Sequence, residues 1–538
     1  MRRKSVLFFA FLIFSLVGFS QVARPKLVVG LVVDQMRWDY LYRYSDLYGN
    51  GGFKRLLKEG FSSENNFIPY MPTYTAVGHS CIYTGSVPAI TGIVGNNWYD
   101  KAANKNVYCT DDSTVSTVGN NGKAGKMSPA NMWTTTITDE LRLSNNFKSK
   151  VIGIALKDRG SILPAGHSAN AAYWYDGGKW ISSTHYMNAL PGWVNKFNDK
   201  DVAGTYMKTD WNTLLPIEKY DLSTADDKPY ETSIKGEKTV TFPHKLSAID
   251  AGNKYESFRT TPFANTFTFD FAKAAIESER LGKNTVTDFL AISISSTDYV
   301  GHSFGPNSIE IEDTYLRLDK DIESFLNYLD KTVGKGNYTL FLSADHGVAH
   351  VPAFLKEHKI PAGTFDDADI LKELNRKIEE KFAVKTAVKT VMNYQVYLND
   401  KNIAEQNKSK DEIIDFVIDR LKEKDFIINA FELDEVMEAA LPAPQREMMI
   451  NGYNPKRSGD IEFTFKSGYF DGGTKGTTHG LWNPYDAHIP CVFFCWGVKP
   501  GKTNRETYMT DIAPTLAALL KIQMPNGCVG KVITELIK

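Results

Sequence analysis

LVVGLVV, residues Leu27–Val33, is a run of apolar, mostly β-branched residues that ends at Asp34. Because no polar residues alternate within it, the run predicts a strand buried on both faces, as in a parallel sheet covered by helices. An aspartate directly after such a strand lies at the carboxyl edge of the sheet, where open α/β sheets bind their ligands. Asp34 could equally cap the following helix, and the residue alone does not decide between the two.

The same alternation of strand and helix recurs along the chain. Further short apolar strands are predicted at 151–156, 289–294, 339–342 and 491–496, and helices at 267–281, 311–329 and 511–520. The helix at 311–329 has its apolar residues on one face. We therefore predict an α/β fold with a mostly parallel central sheet, flanked by helices on both faces.

Two regions interrupt this alternation and are predicted to be inserted cap regions. Residues 164–262 are rich in Trp, Tyr, Asn, Asp and Lys and have few strong strand patterns. Residues 351–473 carry charged helices and some strands. The core is then divided into three parts, at 24–163, 263–350 and 474–538.

The first twenty residues, 1–20, are predicted to be a signal peptide. The basic residues 2–4 precede an apolar run at 6–19, which Ser20 closes. An uncleaved anchor is the alternative, but the run is short for a spanning helix, and no cysteine follows it to carry a lipid. We expect a periplasmic or secreted protein with no stable membrane anchor after cleavage.

Charge and cysteine content exclude several classes of protein. The 538 residues include 62 Lys and Arg and 63 Asp and Glu, so no basic excess indicates nucleic-acid binding. The five cysteines permit a disulfide without specifying one, and their odd number leaves at least one free or paired outside the chain. Cys491 and Cys495 are predicted on one strand, where residues four apart are too distant to bridge. We expect a monomer that acts on small molecules.

PTYTAVGHS, residues 72–80, predicts a hydroxyl group at the start of a helix. Pro72 cannot lie inside a helix, and residues 76–83 have a helical pattern that ends before Gly85. Thr75 then lies at or near the helix N-terminus, where free N–H groups and the helix dipole attract an anion. Thr75 could instead be a simple N-cap without chemistry.

Acidic and imidazole groups follow several of the predicted strands. They are Asp34, then Asp298 with His302, then Asp345 with His346, and finally His479, from a loop before another strand. Oxygen and nitrogen ligands without thiolates suit zinc or another borderline divalent ion. Three carboxylates and three imidazoles exceed what one zinc needs, so the set predicts two ions. The alternative is a set of unrelated capping aspartates and surface histidines.

Four motifs, taken in chain order, resemble those of the alkaline phosphatase superfamily. They are PTYTAVGH (72–79), STDYVGH (296–302), SADHG (343–347) and THG (478–480). The chain is most similar to the bacterial phosphate-irrepressible alkaline phosphatases, which are related to the nucleotide pyrophosphatase/phosphodiesterases. The resemblance extends from about residue 27 to the end of the chain.

The resemblance implies two zinc ions and assigns their ligands. One zinc would be bound by Asp298, His302 and His479. The other would be bound by Asp34, Asp345 and His346, together with the Thr75 oxygen. The resemblance also selects Thr75 as the nucleophile, although Thr73 or Ser80 could compete on the residues alone. Thr75 would attack phosphorus in line and form a covalent phosphothreonine.

The resemblance further implies that Asn96, Lys157 and Arg159 bind the substrate. A phosphate monoester has an extra charged oxygen, which Arg159 can bond bidentately and to which Lys157 adds a point charge. By themselves, two cations after a strand more often form a solvated rim. In similar enzymes the lysine fills the space that a third ion takes elsewhere, so two metals are expected.

The sequence therefore predicts an exported zinc-dependent alkaline phosphatase that hydrolyses phosphate monoesters. One alternative is a phosphodiesterase of the nucleotide pyrophosphatase type, or a phosphonate hydrolase, on the same two-metal scaffold. Another is a catalytically silent binding module, although suitable residues fill all the metal positions. Val77 stands where close relatives are expected to have proline, and the nucleophile stretch lacks the modification motif of sulfatases.

Overall fold

The computed structural model describes residues 23–537, so the predicted signal peptide lies outside the described residues. The strands, in chain order, are β1 Leu27–Val33, β2 Phe61–Phe67, β3 Asn97–Asp100, β4 Lys105–Tyr108, β5 Thr117–Val118, β6 Val151–Ala155, β7 Ala171–Asp176, β8 Lys179–Ser183, β9 Asp288–Ile294, β10 Tyr338–Ser343, β11 Gly363–Phe365, β12 Val388–Met392, β13 Gln395–Leu398, β14 Ile427–Glu432, β15 Ile461–Phe465, β16 Tyr469–Asp471, β17 Cys491–Cys495 and β18 Gly501–Tyr508.

The helices, in chain order, are α1 Tyr40–Arg43, α2 Phe53–Glu59, α3 Thr75–Thr84, α4 Pro88–Thr91, α5 Ile137–Leu143, α6 Asp158–Ala165, α7 Gly192–Asn198, α8 Val202–Tyr206, α9 Lys254–Phe258, α10 Phe263–Ser278, α11 Ser296–Phe304, α12 Ile309–Leu329, α13 Pro352–Glu357, α14 Asp367–Phe382, α15 Asp400–Glu405, α16 Lys410–Lys422, α17 Ala443–Gly452, α18 Pro484–Ala487 and α19 Ile512–Leu520. Between residues 23 and 537, no helix combines the length and apolar character that crossing a membrane requires.

A ten-stranded sheet forms the centre of the molecule, in the order β18-β2-β17-β10-β1-β9-β6-β7-β8-β5. Its middle strands β10, β1, β9, β6 and β7 are parallel, and antiparallel pairing begins on either side of them, with β17 and with β8. At one edge, β2 and β18 pair in parallel with each other. Every residue of β1 is buried, which requires cover on both faces of the sheet. The predicted α/β class with a mostly parallel centre is confirmed.

The parallel strands place their following residues at one edge of the sheet. The strands β1, β9 and β10 are neighbours in register, so the residues after Val33, Ile294 and Ser343 emerge side by side. Helix α3 approaches this edge closely. A Cβ added at Gly78 would lie 2.3 Å from the Asp345 carbonyl oxygen, so only glycine permits that approach.

The central sheet continues into the first predicted insertion. Strand β7 pairs in parallel with β6, and β8 pairs with β7, so both belong to the sheet and not to a cap above its edge. Their aromatic residues pack on the core: Trp180 stacks on Phe271 of α10, with ring centroids 4.4 Å apart. The aromatic residues of this region, which led to the prediction of a cap, include residues of the buried strands β7 and β8. The boundary at residue 164 stays a prediction.

The second predicted insertion contains a sheet and an apolar core of its own. Strands β12, β13, β15 and β14 form a four-stranded sheet in that order. Helices α14 and α16 contribute apolar residues such as Leu374 and Val417 to a separate buried cluster. Such a region can be inserted between two core segments without interrupting the central sheet.

The helix and cysteine predictions differ from the structure only in detail. Helix α10 begins directly after Pro262, four residues before the predicted start at 267, because proline is well tolerated at the beginning of a helix. All five cysteines are free thiols, and Cys491 and Cys495 lie at the two ends of β17 as the strand prediction requires.

A buried charged cluster connects the first inserted region to helix α12. The His244 ring lies with Nδ1 2.9 Å from Glu237 Oε2 and with Nε2 3.2 Å from Glu310 Oε1. Glu231 and Asp226 also face this ring. Burial opposes protonation of His244, but the two bonded glutamates outweigh it and raise its pKa to about 9.

Alkaline pH is therefore expected to weaken this connection. Because the pKa of His244 rises from 6.5 to about 9 on folding, its stabilisation is complete below pH 6.5 and is lost as the pH rises through 9. The loss is at most about 3 kcal/mol, which lowers the thermal midpoint by a few degrees.

The thermal midpoint of His244→Gln should depend less on pH over this range than that of the parent. The exposed His358 supplies the control, because its ring bonds only the Phe354 carbonyl and His358→Gln should change nothing. The same steep pH dependence in His244→Gln as in the parent would contradict the assignment.

Candidate active site

Thr75 is the first residue of α3 and is almost completely buried. Its N-cap, Tyr74, has an extended backbone and its side chain does not cap the helix, so the amides of the first turn are open to other partners. One of them, Ala76 N–H, donates to Asn96 Oδ1 at 2.9 Å. Thr75 Oγ1 lies 3.4 Å from His346 Nε2 and 3.5 Å from Lys157 Nζ. The hydroxyl is thus positioned between imidazole and ammonium groups at a helix N-terminus.

The first ligand group consists of Asp298, His302 and His479, whose ligand atoms all lie within 4.8 Å of one another. Asp298 and His302 are four residues apart on α11 and share one face of that helix. His302 Nε2 lies 3.2 Å and His479 Nε2 lies 3.6 Å from Asp298 Oδ1. The Nδ1 atoms of the two histidines lie 2.7 and 2.8 Å from the Thr477 and Thr73 carbonyls, which directs both Nε2 atoms into the group.

The second ligand group consists of Asp34, Asp345 and His346, again within 4.8 Å of one another and fully buried. His346 Nε2 lies 3.5 Å from Asp34 Oδ1 and 3.4 Å from Asp345 Oδ2. The His346 Nδ1–H donates to the Gly347 carbonyl at 2.9 Å, which fixes the ring. The two groups adjoin, because the His346 and His479 rings stack with centroids 3.5 Å apart.

The buried carboxylates of the second group fit cation ligands. Within residues 23–537, both oxygens of Asp34 and Oδ2 of Asp345 lack a hydrogen bond of good geometry, although Lys157 Nζ lies only 2.7 Å from Asp34 Oδ2. Leaving carboxylate oxygens buried and unbonded is costly unless a cation binds them. Burial, followed by repulsion from Asp298 and Asp345, raises the pKa of Asp34 well above its usual value. The donor set of carboxylates and imidazoles suits zinc.

The residues predicted to bind substrate lie on or next to elements that contact the start of α3. Lys157 is buried, and its Nζ lies 2.5 Å from Asp298 Oδ2, so it does not belong to a solvated rim. Arg159 lies in the first turn of α6, and its Nη1 donates to the Tyr108 hydroxyl at 3.0 Å. The Asn96 side-chain oxygen accepts the bond from Ala76 N–H, and among the described residues its amide nitrogen has no partner and can donate to a substrate. Two different parts of the chain thus supply these three polar groups.

Two further side chains support the ligands. His79, predicted to be a packing or supporting residue, has Nδ1 2.8 Å from the Thr75 carbonyl and 3.2 Å from Asp345 Oδ2. Gln35 donates from Nε2 to Asp298 Oδ1 at 2.8 Å and from its backbone to Asp345 Oδ1 at 3.1 Å, so it connects the two groups. Gln35 was not predicted. The only signal in the sequence that could have identified Gln35 is its position directly after Asp34.

Comparison with known proteins relates this arrangement to a family. The family model described as type I phosphodiesterase / nucleotide pyrophosphatase matches residues 28–486. The chain is 58% identical over 534 residues to a Myroides odoratus protein named calcium-transporting ATPase, covering 98% of this chain and 97% of that one. It is 56% identical over 522 residues to alkaline phosphatase PhoV of Synechococcus elongatus, covering 96% of this chain and 94% of PhoV.

A solved structure extends the likeness to three dimensions. The crystal structure of wild-type alkaline phosphatase PafA superposes with a TM-score of 0.94 at 53% identity, covering 96% of this chain and 100% of that one. Alkaline phosphatase PafA of Elizabethkingia meningoseptica is likewise 53% identical over 522 residues. At 53% identity the similarity concerns the sequence as well as the fold.

Proposed function

This chain belongs to the type I phosphodiesterase / nucleotide pyrophosphatase family and, within it, to the alkaline phosphatases, and we propose that it hydrolyses phosphate monoesters through a phosphothreonine at Thr75. The observation that supports this proposal is that Thr75 Oγ1 lies at a helix N-terminus, 3.4 Å from His346 Nε2 of the second group of potential metal ligands. We further propose that the protein is exported and acts on small molecules as a monomer.

Two zinc ions are the cofactors that the donor set fits best. Asp298, His302 and His479 would hold one ion, and Asp34, Asp345 and His346, with the Thr75 oxygen, would hold the other. When bound, the ions supply Lewis-acid stabilisation for the ionised Thr75 hydroxyl and for the oxygen of the departing alcohol.

The chain's own groups position the substrate and stabilise its charge. Thr75 Oγ attacks phosphorus, the bond from phosphorus to the ester oxygen breaks, and the phosphoryl group is transferred to the threonine. Water then cleaves the phosphothreonine and releases phosphate. The free amides at the start of α3 face the negatively charged phosphoryl oxygens, as at other helix N-termini that bind anions. Little covalent assistance is needed beyond this, because phosphoryl transfer depends mainly on positioning and charge.

Preference for monoesters follows from the positively charged and amide groups that face the phosphoryl oxygens of the substrate. A monoester dianion has one more charged oxygen than a diester. Arg159 can donate two parallel hydrogen bonds to that oxygen and its neighbour, and Lys157 and the free amide nitrogen of Asn96 add to the attraction. A diester has an organic group at this position and gains less from the same residues.

Arg159→Ala is therefore expected to lower kcat/KM for an aryl phosphate monoester by about 100-fold, since one charged donor to the transition state is lost. The methyl diester of the same alcohol should change by less than about threefold, because it lacks the charged oxygen. Steady-state rates on the two substrates measure the difference. Arg505, an exposed arginine of β18 that pairs with Glu535, provides the matched control, and Arg505→Ala should affect neither substrate.

Equal losses on the two substrates would remove Arg159 from its proposed role. A parent enzyme that prefers the diester would favour the alternative, a phosphodiesterase or phosphonate hydrolase on the same scaffold. Both outcomes are read from the same four rate constants.

A further inference from the structure

The Arg159 guanidinium is held by a phenol and not by a carboxylate. Among residues 23–537 its only hydrogen-bond partner is the Tyr108 hydroxyl, which accepts from Nη1 at 3.0 Å. Its Nε is buried without a partner, and no acidic oxygen of the described chain lies within 4.0 Å of the group. The Arg159 guanidinium is thus held without a direct ion pair to a carboxylate of the described chain.

The direction of the Tyr108 hydrogen bonds explains how a neutral group can hold an arginine. The Tyr108 hydroxyl donates to Asp158 Oδ1 at 2.8 Å, so its lone pair is left to accept from Arg159. The other Asp158 oxygen accepts from the Thr110 hydroxyl at 2.5 Å. Burial raises the pKa of Tyr108 well above its usual value, although Arg159 opposes the shift, so the phenol stays neutral.

The hairpin of β3 and β4 contains Tyr108 and begins directly after Asn96. Tyr108 is the last residue of β4 and pairs with Asn97 of β3. The next amide, Cys109 N–H, donates to the Asn96 carbonyl at 3.0 Å. One hairpin therefore sets the positions of Tyr108 and Asn96 together.

We propose that Tyr108 is a positioning residue that makes Arg159 selective for a dianionic phosphoryl group. A carboxylate in its place would hold the guanidinium equally well but would compete with the substrate for its charge. The phenol keeps the fork of N–H groups in one orientation and leaves the full charge for the substrate. This proposal rests on the proposed function, since it acts through Arg159.

Tyr108→Phe tests the proposal, because it removes the hydroxyl and keeps the buried ring. We expect kcat/KM for an aryl monoester to fall about tenfold, the factor typical of a hydrogen bond to a charged group. The methyl diester should change less than twofold. The inhibition constant of inorganic phosphate should rise by the same factor as the monoester loss, which a general loosening of the fold would not produce.

A double-mutant cycle separates positioning from structure. In the Arg159→Ala background, Tyr108→Phe should have no further effect on the monoester, because the group that it positions is absent. Tyr99, in the partner strand β3, is the matched control, since its phenol donates to Asn104 within the same hairpin and Tyr99→Phe should preserve the monoester-to-diester ratio. Thr110→Val, which removes the second bond on Asp158 together with a weak contact of the Thr110 hydroxyl to Met127 Sδ at 3.5 Å, should lower the ratio in the same direction but less.

Equal losses on monoester and diester in Tyr108→Phe, or a full tenfold loss that persists in Arg159→Ala, would overturn the proposal. If Tyr108→Phe does not fold, an unchanged ratio in Thr110→Val would overturn it. An Arg159→Ala variant with unchanged monoester hydrolysis is a distinct result, which would refute the proposed function of the site itself.

Discussion

Thr75→Ala is expected to lower kcat/KM for an aryl phosphate by at least about ten-thousand-fold, the loss typical of removing a nucleophile. Thr75 Oγ1 is the hydroxyl that lies at the start of α3 and within 3.5 Å of both His346 Nε2 and Lys157 Nζ. Three side chains of each ligand group remain when the Thr75 hydroxyl is removed, so the variant should fold and retain its metals. Rate measurements with metal analysis of the same sample test both statements.

The competing hydroxyls supply the control. Ser80 lies on the same helix, but its hydroxyl donates to the Val77 carbonyl at 2.8 Å, and Ser80→Ala should lose little activity. Thr73 Oγ1 donates to the Leu481 carbonyl at 3.0 Å and is likewise directed away. Acid quenching during turnover of labelled substrate should trap phosphothreonine in the parent and none in Thr75→Ala. A large loss in Ser80→Ala with activity retained in Thr75→Ala would reverse the assignment.

Removal of metal is the second change with a large expected effect. Dialysis against a chelator should abolish hydrolysis, and added zinc should restore it, because Asp34, Asp298 and Asp345 are buried in two adjoining ligand groups with too few cationic partners. Thermal stability should fall as well, since repulsion among the buried carboxylates is no longer offset.

Variants that each remove one metal ligand measure how much each ligand group contributes to zinc binding and activity. His479→Ala should reduce bound zinc from about two to about one per chain and lower kcat by roughly a thousandfold or more. Asp345→Ala should do the same through the other group. His358→Ala, at the end of α13, is the control for loss of a histidine outside the site. Full activity of the chelated enzyme, with no metal detected, would contradict the account.

The local pattern of the sequence determines much of this fold. The unbroken apolar run of β1 predicts a strand buried on both faces, and the structure confirms it. Polar residues at strand ends converge because neighbouring parallel strands share one carboxyl edge, a consequence of topology that needs no knowledge of side-chain packing. Asp34, Asp298 and Asp345 could for this reason be placed together before their distances were known.

Features that depend on contacts between distant residues were not predictable in the same way. Tyr108 meets Arg159 across 51 positions, and Gln35 meets Asp298 across 263, with no periodicity to mark either pair. The burial of Lys157 depends on two carboxylates from other strands, so its sequence alone favoured an exposed rim. Strands β7 and β8 were missed because aromatic residues serve buried strands and caps alike.

Anomalous diffraction at the zinc edge, from crystals of the purified protein, tests the central claim most directly. We predict two peaks, one within reach of Asp298, His302 and His479 and the other within reach of Asp34, Asp345 and His346, with Thr75 Oγ1 beside the second. A single peak, or peaks away from these six side chains, would contradict the two-metal account of how Thr75 becomes a phosphate acceptor.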